Sequence, residues 1–88
     1  MYYTYVLVSL RNNKYYIGYT SNLEKRLLAH NSGQVQFTKR YAPWKLYYFE
    51  KFIDIEDAML REKQLKSWKS RAMIEKLKFK QNRGSSIS

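Results

Sequence analysis

Five side chains in this sequence are of types that bind cations, stabilise anions or move protons. Tyr5 and Tyr16 lie in strand-like runs, Arg26 and His30 are four residues apart, and Glu62 lies farther along the chain. Hydrolysis of a phosphodiester needs a cation on a phosphate oxygen, a positive group for developing charge, and groups that move protons to and from water and the leaving oxygen. Glu62, Arg26, and His30 with a tyrosine could supply those three needs if the fold brings them together.

The two tyrosines lie on a predicted β-hairpin. Residues 2–10 and 15–20 are mostly β-branched and aromatic, and the residues between them are polar, which is typical of two strands joined by a turn. A two-residue turn at Asn12-Asn13 would pair Arg11 with Lys14.

In that register Tyr5 and Tyr16 project from the same face of the hairpin, and one extra loop residue would reverse this assignment. A tyrosine with an ordinary pKa near 10 is a poor base, so a nearby cation would have to lower its pKa. The opposite face suits a core and carries Val6, Val8, Leu10 and Ile17.

A short helix is predicted after the hairpin. Ser21 and Glu24 have the spacing of a capping box, and residues 31–33 end the helix. Leu23 and Leu27 form the apolar stripe of this helix, and Arg26 and His30 lie on the same face. Charged groups on a packing face need partners; alternatively, the Arg26 stem reaches out to solvent and His30 is an edge residue with satisfied hydrogen bonds.

The remaining chain completes an α+β fold, a small three-stranded antiparallel sheet flanked by about three helices. Residues 32–43 are loop-like, because they contain Gly, Ser, Thr and the only proline. We expect one domain over residues 1–80 and a flexible C-terminal tail over 81–88. The later elements are a strand over Trp44 to Ile53, a helix over Ile55 to Trp68 capped by Asp54, and a basic helix over Arg71 to Phe79.

Glu62 lies in the middle of the inward stripe of the second helix, among Ile55, Ala58, Met59, Leu65 and Lys66. A buried carboxylate without a partner is costly. Glu62 could therefore form an ion pair, with Arg26 or with a cation near Arg61, or it could bind a hard metal cation through its oxygens. Glu50, by contrast, is expected to be a strand-edge charge.

Composition and net charge exclude several further classes of function. The 88 residues suffice for one small domain and carry 17 Lys and Arg against 7 Asp and Glu, a formal charge of +10 that favours polyanions such as nucleic acid. The absence of cysteine excludes a disulfide scaffold and a thiol nucleophile, and one histidine excludes a site built mainly from imidazoles. The N-terminal segment has neither a charged region nor a long apolar run, so we expect a cytoplasmic protein without a membrane partner.

Two basic segments are candidates for contacts with nucleic-acid phosphates. Lys39 and Arg40 lie on the predicted loop beside Tyr41, on which a base could stack, and the alternative is a solvated loop. Lys66, Lys69 and Arg71 begin a basic run near the C-terminus, whose alternative interpretation is a solvated helix face.

The spacing of these residues resembles that of the GIY-YIG nuclease superfamily, in particular its small single-domain bacterial branch, from Tyr3 to about Lys69. Tyr16-Ile17-Gly18 is similar to the second signature, and Tyr5, eleven residues earlier, lies where the tyrosine of the first signature belongs. Arg26 follows Tyr16 by ten residues and His30 follows Arg26 by four. The segment AMLREKQLKSW resembles the family's helix with a metal-binding glutamate, which falls on Glu62.

The resemblance implies a hydrolase that uses one divalent cation, magnesium or manganese, bound by Glu62. It also implies that Arg26 contacts the scissile phosphate and that Tyr5 or Tyr16 positions or deprotonates water, assisted by His30. Gly18 would allow a close approach in the site, although a strand-end glycine is an alternative.

The sequence departs from the family pattern in its first signature and at Lys39. The first signature reads Tyr3-Thr4-Tyr5 in place of Gly-Ile-Tyr, and Lys39 stands where some relatives have a second histidine. The leading hypothesis is an endonuclease acting on DNA more than on RNA, with branched, nicked or single-stranded forms as candidate substrates. A non-catalytic nucleic-acid-binding module comes second, and an adaptor that binds an unknown protein partner through its aromatic surface comes third.

Overall fold

A computed structural model of the chain describes residues 1–77. It confirms the predicted fold class, an antiparallel three-stranded sheet with helices against it. The strands are β1 (Tyr2–Ser9), β2 (Tyr15–Thr20) and β3 (Trp44–Phe52). The helices are α1 (Leu23–Asn31), a 3₁₀ turn (Lys39–Tyr41), α2 (Ile55–Trp68) and a helical segment over residues 71–77.

The end of the predicted third helix, at Phe79, and the predicted tail over 81–88 lie outside the described residues. Among residues 1–77, no helix combines the length and the apolar character that crossing a bilayer requires.

β1 is the middle strand of the sheet, whose order is β2-β1-β3, and it pairs antiparallel with both neighbours. Its side chains alternate between two apolar clusters, as expected for a strand covered on both faces. One cluster lies against α2 and contains Val6, Leu65, Ile74 and Leu77. The other lies against α1 and contains Tyr5, Leu7 and Trp44, with Leu23 and Leu27 packed on it.

The hairpin loop is longer than the two-residue turn that the sequence suggested. Val8 pairs with Tyr15, so the predicted pairing of Arg11 with Lys14 is wrong by two residues. The Ser9 hydroxyl explains the longer loop, because it accepts hydrogen bonds from the backbone N–H groups of Arg11 and Asn12 at 3.1 and 3.2 Å.

The predicted sharing of a face by Tyr5 and Tyr16 survives this shift, because a displacement of two residues leaves each side chain on its own face. Leu10, however, falls in the loop and is 61% exposed, so its predicted place in the core is wrong.

The helix caps also differ from the sequence pattern. The N-cap of α1 is Asn22, one residue after the predicted Ser21, and its side chain accepts a hydrogen bond from the Lys25 backbone N–H at 3.0 Å. Asp54 is the N-cap of α2, as predicted, but its side chain forms no cap hydrogen bond.

α2 is fixed to the sheet by polar contacts at two points. The Thr4 hydroxyl donates to the Ala58 carbonyl at 2.7 Å, and the Arg61 guanidinium donates to both oxygens of Glu50 at 3.0 to 3.1 Å. Glu50 is therefore a bidentate acceptor that joins β3 to α2, rather than the strand-edge charge that we expected. Bidentate pairing fixes orientation as well as distance.

Gly18 is the direct cross-strand partner of Tyr5. An ideal Cβ at Gly18 would lie 2.6 Å from Tyr5 Oη and 2.8 Å from Tyr5 Cζ, closer than real Cβ contacts allow. Because Gly18 has no side chain, the Tyr5 ring can lie directly against the backbone at this position.

Substitution of Gly18 by Ala should force the Tyr5 ring to move. We expect a loss of about 1–3 kcal/mol in the free energy of unfolding, the usual cost of overpacking. Urea denaturation of the single variant and of the same change in a Tyr5→Leu background measures it. The penalty should shrink when the ring is absent, and an equal penalty in both backgrounds would contradict this packing explanation.

Candidate active site

The buried hydroxyl of Tyr5 is the meeting point of two side chains from α1. Arg26 Nε donates to Tyr5 Oη at 3.3 Å, and His30 Nε2 lies 3.0 Å from the same oxygen. Tyr5 lies on the middle strand of the sheet, β1. Arg26 and His30 lie on α1, which packs on the face of the sheet that carries Tyr5. The structure thus brings together three of the five side chains that could do chemistry.

His30 is fully buried, and both of its ring nitrogens have partners. Nδ1 lies 2.7 Å from Thr38 Oγ1, and the Thr38 hydroxyl donates to the Val35 carbonyl at 3.4 Å. In the tautomer with the proton on Nδ1, His30 donates to Thr38 and its Nε2 accepts from the Tyr5 hydroxyl. In that tautomer each group donates a hydrogen bond to the next, from Arg26 through Tyr5 and His30 to Thr38.

Burial is the main reason why His30 stays neutral. Burial and, to a smaller extent, the positive charge of Arg26 together lower the pKa of His30 from 6.5 to about 4. A neutral imidazole at physiological pH can accept a proton from Tyr5, whereas an imidazolium could not.

The pKa of Tyr5 is raised, because burial outweighs the opposing effect of the Arg26 guanidinium. The condition that we set for a tyrosine base, a pKa lowered by a nearby cation, is therefore not met by Tyr5. The hydrogen bond to Tyr5 raises the pKa of Arg26 by more than burial lowers it, so the guanidinium stays charged. Tyr5 is a neutral hydrogen-bond donor, and Arg26 is a permanent positive charge beside it.

The Tyr16 ring lies next to this group and is partly exposed. Its centroid is 4.9 Å from that of His30 and 6.4 Å from that of Tyr5. Tyr16 also makes a small contribution to the raised pKa of Arg26. The shared face places both tyrosines around the same cation, with Tyr16 at the solvent side.

Glu62 approaches from α2, which covers the opposite face of the sheet. Its side chain is 16% exposed, and Lys66 Nζ lies 2.9 Å from Oε2, so its ion-pair partner is neither Arg26 nor a cation near Arg61. The Glu62 charge is the smallest of the effects that act on the pKa of Tyr5. Lys66, the partner of Glu62, lines a groove together with Tyr16, so α2 and the hairpin both supply side chains there.

Glu62 offers a single carboxylate to a divalent cation, which would have to keep most of its water. Residues 1–77 contain no group of three or more His, Cys, Asp or Glu side chains that could hold a metal. One carboxylate, with water and substrate phosphate as the remaining ligands, is nevertheless a common way for proteins to bind Mg²⁺. The residues present fit that kind of site and do not fit a closed cage.

The basic residues proposed for phosphate contacts differ in how freely they can act. Lys39, Arg40 and Lys69 are exposed on the surface. Lys66 is half exposed while it is paired with Glu62. Arg71 donates to the Asn13 carbonyl at 2.6 Å and lies over the Tyr15 ring, so it already has a structural role in holding the helical segment 71–77 to the hairpin.

Sequence reasoning missed two features of this region. The pairing of Glu62 with Lys66 has the spacing i, i+4, a signal that was available in the sequence. The role of Thr38 was not visible in the same way, because a threonine in a loop gives no sign that it will be buried against a histidine.

The single histidine allows a direct test of this electrostatic environment. A ¹H NMR titration should give His30 a pKa near 4, well below 6.5. Between these values the unfolded chain binds the proton and the folded chain does not, so the fold should lose stability as pH falls from about 6.5 to about 4. Arg26→Ala should raise the pKa of His30, whereas Lys25→Ala on the same helix should not. A midpoint near 6.5 in the unmodified protein would contradict the burial and the contacts described.

Comparisons with known proteins identify the family of the chain. A family model described as the GIY-YIG catalytic domain matches residues 1–78. A UPF0213 protein of Streptococcus pneumoniae is 42% identical over 82 residues, which span 92% of this chain and 82% of that protein. A UPF0213 protein of Pediococcus pentosaceus is 41% identical over 88 residues, which span 99% of this chain and 88% of that protein.

A solved structure is similar as well. The solution NMR structure of a UPF0213 protein from Bacillus halodurans has a TM-score of 0.53 and 32% sequence identity, and the match covers 88% of this chain and 82% of that one. The fold, the family match and these relatives give the same answer as the signature spacing. The chain belongs to the GIY-YIG nuclease superfamily.

Proposed function

We propose that this protein is a divalent-metal-dependent endonuclease that hydrolyses phosphodiester bonds in DNA. The observation that carries the proposal is the buried Tyr5 hydroxyl, which holds Arg26 and His30 together. A purely structural core would not need a guanidinium and an imidazole on one phenol, whose pKa a carboxylate charge also influences. Hydrolysis of a phosphodiester needs groups of these kinds.

Arg26 is the residue that would bind the scissile phosphate. Its charge is permanent, and it is held in place by the Tyr5 hydroxyl, so it is oriented before the substrate arrives. Glu62 would hold magnesium or manganese, which when bound supplies charge neutralisation at the phosphate and lowers the pKa of water. Lys66 would give up its ion pair with Glu62 when the metal is bound, which is possible because the Lys66 side chain is half exposed.

Tyr5 and His30 would act together as a proton route. Tyr5 keeps its proton near neutral pH and donates toward His30 Nε2, so a proton taken up by the phenol oxygen can pass to the imidazole. The negative charge of a bound phosphate would raise the pKa of His30 from its low resting value. Tyr16, at the solvent side, is placed to position the attacking water.

The net charge of +10 supports a polyanion as the partner. This electrostatic attraction does not depend on the nucleotide sequence. The exposed residues Lys39, Arg40 and Lys69 are the proposed backbone contacts, with Lys66 near the site itself. We propose DNA rather than RNA, and the cytoplasm as the compartment.

A non-catalytic nucleic-acid-binding module is the second candidate. The ion pair between Glu62 and Lys66 favours it, because this pair satisfies the carboxylate without a metal. Tight binding of DNA without cleavage and without dependence on divalent cations would support this alternative.

Glu62→Gln should abolish magnesium-dependent nicking while leaving DNA binding intact. The amide keeps the size of the side chain and loses the charge that a cation needs, so we expect cleavage to fall at least about 100-fold. Cleavage of a panel of duplex, nicked, branched and single-stranded DNA measures activity, and fluorescence anisotropy measures binding.

Glu56→Gln is the matched control, since Glu56 is an exposed glutamate in the first turn of the same helix. It should retain full activity. Equal cleavage by the Glu62 variant and the unmodified protein would contradict the proposed role and point to a contaminating nuclease.

A further inference from the structure

Phe37 is an exposed aromatic residue beside the candidate active site. Its side chain is 71% exposed, and its ring centroid lies 6.0 Å from that of Tyr16, with the two planes at 41°. An exposed apolar residue is not informative by itself. The contacts that hold the backbone next to Phe37 and the residues that surround its ring are informative.

The neighbouring residue fixes Phe37 in its exposed position. Thr38 is fully buried, its hydroxyl lies 2.7 Å from His30 Nδ1, and its carbonyl accepts a hydrogen bond from Trp44 Nε1 at 2.9 Å. These bonds hold the loop backbone against the core. The same residue that orients His30 thus also determines where the Phe37 ring stands.

The Phe37 ring is one wall of a groove of about 400 Å³ whose other residues are Tyr15, Tyr16, Ile17 and Lys66. The groove lies along β2, an edge strand of the sheet. Tyr16 joins it to His30, and Lys66 joins it to Glu62. The groove therefore leads directly to the residues proposed to act on the phosphate.

We propose that this groove binds an unpaired nucleobase next to the scissile phosphate, stacked on Phe37 and the Tyr16 ring. Aromatic rings stack on any base, and cations beside them hold the adjoining phosphates. Lys66 supplies such a cation at the groove itself. A base inside a duplex cannot reach the groove without leaving its stack. The preferred substrate is then single-stranded at that nucleotide, an inference that rests on the proposed nuclease function.

Phe37→Ala should weaken the binding of single-stranded DNA roughly 5- to 150-fold, the range found when one stacking platform is removed. Binding of fully paired DNA should change by less than about twofold, because its contacts are to backbone phosphates. Phe37→Trp should preserve binding. The probes are oligonucleotides with one fluorescent 2-aminopurine base, read by anisotropy and by quenching on stacking.

Leu28→Ala is the matched control, since Leu28 is a similarly exposed apolar residue, 68% exposed, on α1. It should bind both probes like the unmodified protein. Equal binding of single-stranded DNA by the Phe37→Ala variant, or equal losses on paired and unpaired probes, would overturn the proposal.

The binding assay needs no cleavage, so it separates this inference from the nuclease function. Selective loss of single-strand binding in a protein that cleaves nothing would support the base site and refute the nuclease. Magnesium-dependent cleavage that Phe37→Ala leaves unchanged on single-stranded and paired substrates would refute the base site and leave the nuclease standing.

Discussion

A buried phenol must satisfy its oxygen, and in this small domain that requirement organises the rest of the site. The Tyr5 hydroxyl is removed from water in the middle strand, where an unsatisfied polar group is costly. Arg26 and His30 satisfy it from α1, and Gly18 leaves the space in which the ring lies. One hydrogen-bonded group therefore aligns the hairpin, the helix and, through His30, the loop at Thr38.

The sheet is thin enough for both of its faces to contribute to one site. α1 and α2 pack on opposite faces, yet the charge of Glu62 acts on Tyr5, and Lys66 lies in a groove with Tyr16. The edge strand β2 is the place where the two sides meet. An open groove at the edge strand is compatible with the long polyanion proposed as the substrate.

The sequence predicted the elements and the shared face of the tyrosines, because both depend on local periodicity. It misplaced the hairpin register and the α1 cap, because short side-chain bonds from Ser9 and Asn22 decide those details. It could not predict that burial would outweigh Arg26 in setting the pKa of Tyr5, or that Thr38 would hold His30. Those outcomes depend on three-dimensional burial, which no spacing in the chain encodes.

The most direct test of a single cooperating group is the cleavage rate of Tyr5→Phe, His30→Gln and the double variant, each with magnesium and at saturating DNA. Side chains that act as one unit lose activity non-additively. The double variant should therefore be no slower than the slower single variant. Losses that multiply in the double variant, or full activity in Tyr5→Phe, would contradict a shared role for the Tyr5 hydroxyl and His30.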